Sequence, residues 1–269
     1  MAKTDIVVLI HGLGNNNLVW KGFSYLLKSQ GFSVIAPNLR YHGPGEFSNN
    51  LENTSLTHYE QDLEHLVLKL KVKPIIIGYS MGGLLTLKLL TKGLGKMGIC
   101  IAPAAPRGIN AISLSVIRIF LKNILVWRFW NRVHRPNFSS AYYGVFSKMP
   151  KSAAKEIFDE IATYESGRVG FELGFPYLDP KRASDLNEKK ISCPLLIIGA
   201  RKDRVTPIGI ARKLYKKCAH VAEYKEFYDY GHWLLGGEEL ESVFNYCLSW
   251  IKRKNKVDKN YKAVKPKIG

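Results

Sequence analysis

The stretch IIIGYSMGGLL, residues 75–85, places a serine at the centre of a glycine-rich turn. Three β-branched residues precede the turn, as in a buried parallel strand, and a leucine-rich run typical of a buried helix follows it. Gly78 and Gly82 flank Ser80 at two-residue distance, where a Cβ atom would collide in so tight a turn. The order strand, turn, helix therefore predicts a strained serine whose hydroxyl group is presented at the edge of a parallel sheet.

Strand and helix patterns alternate on both sides of this turn. Such alternation predicts an α/β fold, with a mostly parallel sheet of about six strands flanked by helices. The predicted strands are 5–10, 33–36, 73–77, 97–102, 194–199 and 223–228. The predicted helices lie near 18–30, 55–71, 82–93, 207–217 and 238–254.

One long interval, 103–190, shows helical pattern and loops but no good strand candidate. We therefore expect a sheet domain built from 1–102 and 191–254, with 103–190 inserted as a helical cap. Lysine-rich residues at 255–269 are expected to form a basic C-terminal tail.

Two further side chains would activate the serine. A serine hydroxyl becomes a good nucleophile when a base removes its proton and an acid orients that base. Asp203 follows the strand 194–199, and His232 follows the last predicted strand. Because the carboxyl ends of parallel strands meet at one edge of a sheet, we expect Ser80, Asp203 and His232 to converge there.

Three other acids are candidates for the orienting role. Asp229 lies on the same loop as His232, three residues earlier, which leaves it little room to approach the imidazole from behind, so it is the reserve acid. Glu165 and Asp179 lie in the insertion and are less favoured.

Backbone N–H groups are predicted to stabilise a developing oxyanion. One is the N–H of Met81, directly after the serine, and the other is that of Leu13 in the loop that follows the first strand. His11, which precedes this loop, is interpreted as a structural residue that hydrogen-bonds the loop.

The segment 112–130 contains many large apolar residues interspersed with basic ones. Helical spacing places Ile117, Phe120, Leu121 and Ile124 on one side. Three interpretations stay open for this apolar surface: packing on the sheet domain, roofing a pocket for an acyl chain, or facing a membrane. The pocket interpretation predicts that Phe120, Trp127 and, from the histidine loop, Trp233 contact the substrate.

The composition narrows the function classes. Lys and Arg number 40 against 22 Asp and Glu, a net charge of +18, yet no nucleic-acid-binding motif accompanies the basic residues. Two interpretations of this charge stay open: a lysine-rich composition that solvates the surface, and weak attraction to an anionic membrane surface, which is favoured over nucleic-acid binding. The four cysteines show no metal-ligand spacing and are interpreted as reduced thiols, and residues 5–10 are typical of a strand rather than a signal peptide, so a cytoplasmic protein is expected.

Four segments together resemble those of the α/β-hydrolase superfamily. VVLIHGLGNNN resembles its first strand and oxyanion loop, and IIIGYSMGG its nucleophile turn. LLIIGARKDRVTP resembles its acid loop, and YGHW its histidine loop. The resemblance is to its small cap-bearing lipase, esterase and peptidase-like members. It implies a serine hydrolase that cleaves an ester and needs no metal or organic cofactor, and the pocket interpretation of 112–130 predicts that the acyl group is lipophilic. Hydrolysis of a thioester or an aminoacyl amide on the same three residues is the alternative, and a non-catalytic binding protein of the same fold is the alternative of another class.

Overall fold

The chain folds around a six-stranded sheet in which every pairing is parallel. The computed structural model describes residues 5–43 and 48–263, with side chains up to residue 256. The strands are β1 (Ile6–Ile10), β2 (Ser33–Ile35), β3 (Ile75–Tyr79), β4 (Met97–Ile101), β5 (Val133–His134), β6 (Glu165–Ser166), β7 (Leu195–Ala200) and β8 (Ala222–Phe227). The central sheet has the order β2-β1-β3-β4-β7-β8, and β5 and β6 form a separate antiparallel pair. The predicted sheet of about six strands is confirmed.

Nine α-helices lie in the described part of the chain. They are α1 (Lys21–Ser29), α2 (Leu56–Lys69), α3 (Met81–Thr91), α4 (Leu114–Ile124), α5 (Phe138–Gly144), α6 (Lys151–Ile161), α7 (Gly167–Gly174), α8 (Gly209–Lys217) and α9 (Glu239–Ala263). Caps set some of the starts: at α2 the Ser55 hydroxyl accepts the His58 N–H while His58 Nδ1 accepts the Ser55 N–H.

The side-chain alternation of the strands builds two cores, one on each face of the sheet. Leu9 and Ile77 point to the face covered by α1 and α9, whereas Ile10 and Ile76 point to the face covered by α2, α3 and α8. All four are fully buried, and burying one such side chain is worth about 1.5–3 kcal/mol. The nucleophile turn at the end of β3 therefore rests on a rigid base.

The segment between β4 and β7 stays outside the central sheet, and it contains α4 to α7 with the short β5–β6 pair. The β5–β6 pair was not foreseen, because two-residue strands leave no readable alternation. That residues 103–190 form a cap over the sheet domain stays a prediction.

The C-terminal end differs from the expectation. The predicted helix 238–254 runs on to Ala263, so the expected basic tail at 255–269 begins inside α9. Residues 264–269 of that tail lie outside the described residues.

Candidate active site

Ser80 lies in the turn between β3 and α3 with a backbone that non-glycine residues rarely adopt. Its φ of 55° and ψ of −119° are costly for an L residue and are held by the surrounding hydrogen bonds. The Ser80 N–H donates to the Ile101 carbonyl at 2.9 Å, and the Ser80 carbonyl accepts the N–H groups of Gly83 and Ala104, both at 2.9 Å. The turn therefore fixes the direction of the serine side chain.

The flanking glycines are required by close backbone approaches. A Cβ atom on Gly78 would lie 2.0 Å from the carbonyl oxygen of Gly82, and one on Gly82 would lie 2.1 Å from that of Ile10. Because neither carbonyl can move without disrupting the sheet or α3, only glycine fits. The predicted steric requirement for glycine at these two positions is confirmed.

Asp203 and His232 form a buried hydrogen-bonded pair. Asp203 follows β7, His232 follows β8, and His232 Nδ1 lies 2.7 Å from Asp203 Oδ2. The other carboxylate oxygen accepts the N–H groups of Val205 and Thr206, both at 2.8 Å. Since an ionised carboxylate only accepts hydrogen bonds, Nδ1 carries the imidazole proton and Nε2 keeps a lone pair. The pair therefore has the geometry of a base held by its orienting acid.

Tyr79 links this pair to the serine turn. Its ring packs against that of His232 with the centroids 5.0 Å apart, and its hydroxyl donates to the His232 carbonyl at 3.1 Å. Burial, together with the charge of Asp203, raises the pKa of Tyr79 well above its ordinary value, so the phenol stays protonated as a donor. Because Tyr79 directly precedes Ser80, the histidine loop and the serine turn share one buried support.

Asp229, the reserve acid, lies elsewhere. Its side chain is 82% exposed and pairs with Lys202 at 2.6 Å. Asp203, not Asp229, is the carboxylate bonded to His232.

The predicted oxyanion donors come from two adjoining backbone segments. Met81 is the first residue of α3, so its N–H has no carbonyl partner one turn earlier in the helix. The loop after β1 passes close to the serine. A Cβ atom placed on Gly12 of this loop would lie only 3.1 Å from Ser80 Cβ. Leu13 follows in that loop, and its role together with that of Met81 stays a prediction.

His11 supports the loop through both ring nitrogens. Nε2 accepts the Leu39 N–H at 3.0 Å, so Nδ1 carries the proton and donates it to the Gly12 carbonyl at 2.9 Å. Burial, reinforced by the neighbouring His42, lowers the pKa of His11 to about 3. The ring is therefore neutral, and it hydrogen-bonds the loop as expected.

A buried acid from the insertion, Glu165, holds the same loop, a role that the sequence pattern did not indicate. Glu165 Oε2 accepts the Gly14 N–H at 3.0 Å and lies 3.2 Å from His42 Nε2. Glu165 Oε1 accepts the Tyr59 hydroxyl at 2.7 Å and the Ser166 N–H at 2.8 Å. Burial on its own would raise the pKa of Glu165, but His42 and these donors hold it below the ordinary value.

Backbone bonds add to this contact between insertion and loop. The Thr163 N–H donates to the Gly14 carbonyl at 3.0 Å, and the Asn16 N–H donates to the Ile161 carbonyl at 3.1 Å. The loop that carries Leu13 is thus fastened to the segment 161–165, which no local sequence pattern announces.

The three predicted substrate contacts lie in different surroundings. Trp233 is buried between Phe146 of the insertion and Tyr79. Its ring centroid lies 5.2 Å from that of Phe146 and 6.4 Å from that of Tyr79. Phe120 is half-buried on α4. Trp127 is 79% exposed, which does not favour a place in a pocket wall. The substrate contacts of all three stay predictions.

The exposure of α4 bears on the three interpretations of its apolar surface. Ile117 and Leu121, which helical spacing places on the apolar side, are exposed, and this does not favour packing of that side on the sheet domain. The buried residue is Ile119, which lies against Gly144 of α5.

Two properties of the described residues bear on other functions. No three His, Cys, Asp or Glu side chains among them come together in a way that could hold a metal ion. None of the helices there carries an apolar run long enough to cross a bilayer.

Curated relatives match a limited part of the chain. A pyrethroid hydrolase of Sphingobium wenxiniae is 32% identical over 83 residues, which are 31% of this chain and 29% of the relative. A lysophosphatidylserine lipase, ABHD12 of Macaca fascicularis, is 36% identical over 88 residues, 30% of this chain and 21% of the relative. The matched segments thus span less than a third of these relatives.

Solved structures and a family model match nearly the whole chain. A monoacylglycerol lipase of Paleococcus ferrophilus superposes with a TM-score of 0.66 at 21% identity, covering 92% of this chain and 95% of its own. The methylesterase MES16 of Arabidopsis superposes with a TM-score of 0.68 at 16% identity, covering 93% of this chain and 99% of its own. At these identities the likeness shows the fold. The family model for the alpha/beta hydrolase fold matches residues 5–238, and the chain accordingly belongs to the α/β-hydrolase family.

Proposed function

We propose that the protein is a serine hydrolase that cleaves carboxylic esters with a lipophilic acyl group through an acyl-enzyme. The observation that carries the proposal is the buried 2.7 Å hydrogen bond between His232 Nδ1 and Asp203, on the sheet edge where the strained Ser80 turn lies. The names of similar proteins, which include lipases, an esterase and a pyrethroid hydrolase, support ester cleavage.

In the proposed reaction, Ser80 Oγ attacks the ester carbonyl carbon while its proton passes to Nε2 of His232. The negative charge that develops on the carbonyl oxygen is received by the N–H groups of Leu13 and Met81. When the tetrahedral intermediate collapses, His232 gives its proton to the leaving alkoxide, and the alcohol departs from the acyl-serine. A water molecule then repeats the sequence and releases the acid.

Asp203 acts through His232. Its carboxylate keeps the proton on Nδ1 and stabilises the imidazolium that forms after proton transfer. Because the carboxylate is held by two backbone N–H groups, it keeps one orientation through the cycle. Every step uses side chains and backbone of this chain with water, so the proposal needs no cofactor.

A cytoplasmic location is part of the proposal. It is supported by the four cysteines, which are all free, with Cys100, Cys218 and Cys247 buried.

Covalent labelling tests the proposal. A fluorophosphonate probe should label the wild-type protein, and p-nitrophenyl esters should be hydrolysed. Ser80→Ala should abolish both, while Ser29→Ala, a change at an exposed serine of α1, should alter neither. Labelling of the Ser80→Ala protein at the wild-type rate would overturn the assignment.

The same assay separates the alternatives. A non-catalytic binding protein would not be labelled at all. If the protein is labelled but turns over acyl thioesters or aminoacyl amides faster than matched esters, the nucleophile stands and the substrate class changes.

A further inference from the structure

The segment from α4 to Trp127 exposes a run of large apolar side chains. Most of the large apolar residues that the described part of the chain exposes lie between 112 and 130. We call the α4 face the set Leu114, Ile117, Leu121, Leu125, Val126 and Trp127. Leu114 is 87% and Leu125 75% exposed. A contiguous apolar surface of this kind marks an interaction site, since exposed leucines scattered singly would need no explanation.

The orientation of α4 is fixed by its inner side. Ile119 packs against Gly144 of α5, and Val205 lies in the same contact. Leu114, Ile117, Leu121 and Leu125 recur at intervals of three and four residues on the side away from Ile119. The helix is therefore seated on the molecule and presents its apolar stripe outward.

Basic residues accompany the α4 face in the sequence, and acidic ones are missing from that stretch. Arg118, Lys122, Arg128 and Arg132 lie in or beside it and are exposed. The sequence contains no Asp or Glu between Glu64 and Glu156.

A cleft of about 580 Å³ opens beside the residues that directly follow Trp127 in the chain. It is lined by Arg128, Asn131, Arg132 and Val133 together with Asn49 and Glu52. Two guanidinium groups in a cleft beside an exposed tryptophan suit a phosphate-bearing headgroup, because guanidinium pairs with phosphate through parallel hydrogen bonds.

We propose that the α4 face docks on the surface of an anionic phospholipid bilayer. The apolar stripe would enter the boundary between headgroups and acyl chains, and the surrounding arginines and lysine would meet the lipid phosphates. Tryptophan is enriched at that depth of a membrane, which fits the position of Trp127 at the end of the stripe. A second copy of the chain fits less well, since it would bring the same positive charges into opposition.

Docking concerns binding alone and does not depend on Ser80, so it is tested apart from hydrolysis. The full chain, as wild type and as Ser80→Ala, is sedimented with vesicles of phosphatidylcholine or of phosphatidylcholine with 30 mol% phosphatidylglycerol. Both proteins should bind the anionic vesicles at least about tenfold more tightly, and salt should weaken the binding. Equal affinity for both vesicle types would overturn the electrostatic part of the proposal, and no binding would overturn all of it.

Matched variants locate the contact. Leu121→Ser with Leu125→Ser, and separately Lys122→Glu with Arg128→Glu, should each lower vesicle affinity about tenfold or more. The controls are Leu178→Ser, an equally exposed leucine outside the α4 face, and Lys213→Glu with Lys216→Glu on α8, which should change it less than twofold. Circular dichroism checks that each variant is folded.

Two outcomes assign the surface differently. If Lys252→Glu with Arg253→Glu on α9 removes binding and the α4 variants do not, the membrane contact lies at the C-terminal helix and the proposal fails. If the wild type is a dimer in light scattering and the α4 variants are monomers that still bind vesicles, the face is a contact between copies.

Fluorescence adds a local readout. Trp20, Trp233 and Trp250 are buried, so brominated lipids should quench chiefly the exposed Trp127 and its neighbour Trp130. Trp127→Phe should remove most of the quenching. Undiminished quenching in that variant would contradict contact at this face.

Discussion

The carboxyl edge of the sheet and the α4 face differ in the side chains that they bury: the sheet edge buries polar groups, whereas the α4 face exposes apolar ones. At the sheet edge, Asp203 and His232 are polar, buried and hydrogen-bonded to each other, and the backbone holds them in one orientation. On the α4 face, Leu125 and Trp127 are apolar and exposed. Burying polar groups and exposing apolar ones both cost free energy, which indicates that each region is arranged for something other than stability alone. In our proposals, the sheet edge serves ester hydrolysis and the α4 face serves contact with a membrane surface.

The largest expected effect separates the two acids of the sheet edge. Asp203→Asn should lower kcat by about 10⁴-fold, as loss of the orienting carboxylate does in the best-studied serine triad. The asparagine oxygen can keep the N–H groups of Val205 and Thr206, so its amide nitrogen then faces His232 Nδ1 and drives the proton to Nε2. Steady-state hydrolysis of a p-nitrophenyl ester measures the loss.

The control for this change is Asp229→Asn. Because Asp229 is exposed and pairs with Lys202, its replacement should alter kcat less than about twofold. A greater loss of kcat from Asp229→Asn than from Asp203→Asn would exchange the roles of the two acids. It would contradict the proposal that the buried Asp203 orients His232.

The next effect tests whether the insertion positions the oxyanion loop. Glu165→Gln replaces one acceptor by a donor facing His42 or Gly14, which leaves a buried group without a partner and should displace the loop. We expect kcat to fall about 10- to 100-fold with a smaller change in KM, since transition-state contacts are affected more than ground-state binding. The rate of fluorophosphonate labelling should fall in parallel.

A matched variant distinguishes positioning from stability. Glu172 is also a buried acid of the insertion, but it accepts the Leu56 N–H at the start of α2 and does not touch the loop. Glu172→Gln should destabilise the fold to a similar extent and leave kcat nearly unchanged. Equal losses of kcat in both variants would reduce Glu165 to a structural residue.

The third effect is a pH dependence of stability that arises from His11. Its pKa is about 3 in the folded chain against 6.5 in the unfolded chain, because burial disfavours the charged ring. Between these values the unfolded state binds the extra proton, so acidification should remove about 1.4 kcal/mol of stability per pH unit through this residue, with no contribution above pH 6.5. Glu165, whose pKa is lowered, adds a loss of the same sign as the pH falls below about 4.5.

Urea unfolding from pH 8 to pH 5 measures this slope. His11→Asn should flatten it by about 1.4 kcal/mol per pH unit between pH 6.5 and 5. Leu27→Ala, a core change without a titrating group, should lower stability at every pH and leave the slope alone. An unchanged slope in His11→Asn would show that other groups carry the dependence.

The sequence located the buried region better than the exposed one, for physical reasons. Ser80, Asp203 and His232 each follow a strand, and parallel strands bring such positions to one edge whatever the intervening loops do. Glu165 was a candidate only for the orienting acid, and its role in holding the loop could not be predicted because its partners are distant in sequence; His42 is 123 residues away. On α4, helical periodicity predicts which residues share a side but not which way that side faces. The orientation of the helix depends on tertiary contacts, such as that between Ile119 and Gly144 of α5.

The smallest expected effect divides the predicted substrate contacts between the two regions. Phe120 is half-buried and Trp127 is exposed, so of these two residues only Phe120 is buried enough to line an acyl pocket. For esters kept below their aggregation limit, kcat/KM should rise from acetate towards octanoate. Phe120→Ala should lower the octanoate-to-acetate ratio about three- to tenfold, the range expected when a hydrophobic pocket loses part of its wall. Trp127→Ala should leave that ratio within about twofold, because the Trp127 side chain contacts water rather than the acyl chain.

If Trp127→Ala lowers the ratio as much as Phe120→Ala does, the tryptophan folds over the substrate during turnover, and the division between a buried chemical region and an outward lipid-binding face no longer holds. A ratio that is flat in the wild type and unmoved by either substitution would remove the acyl pocket from the proposal and leave α4 with its outward role alone.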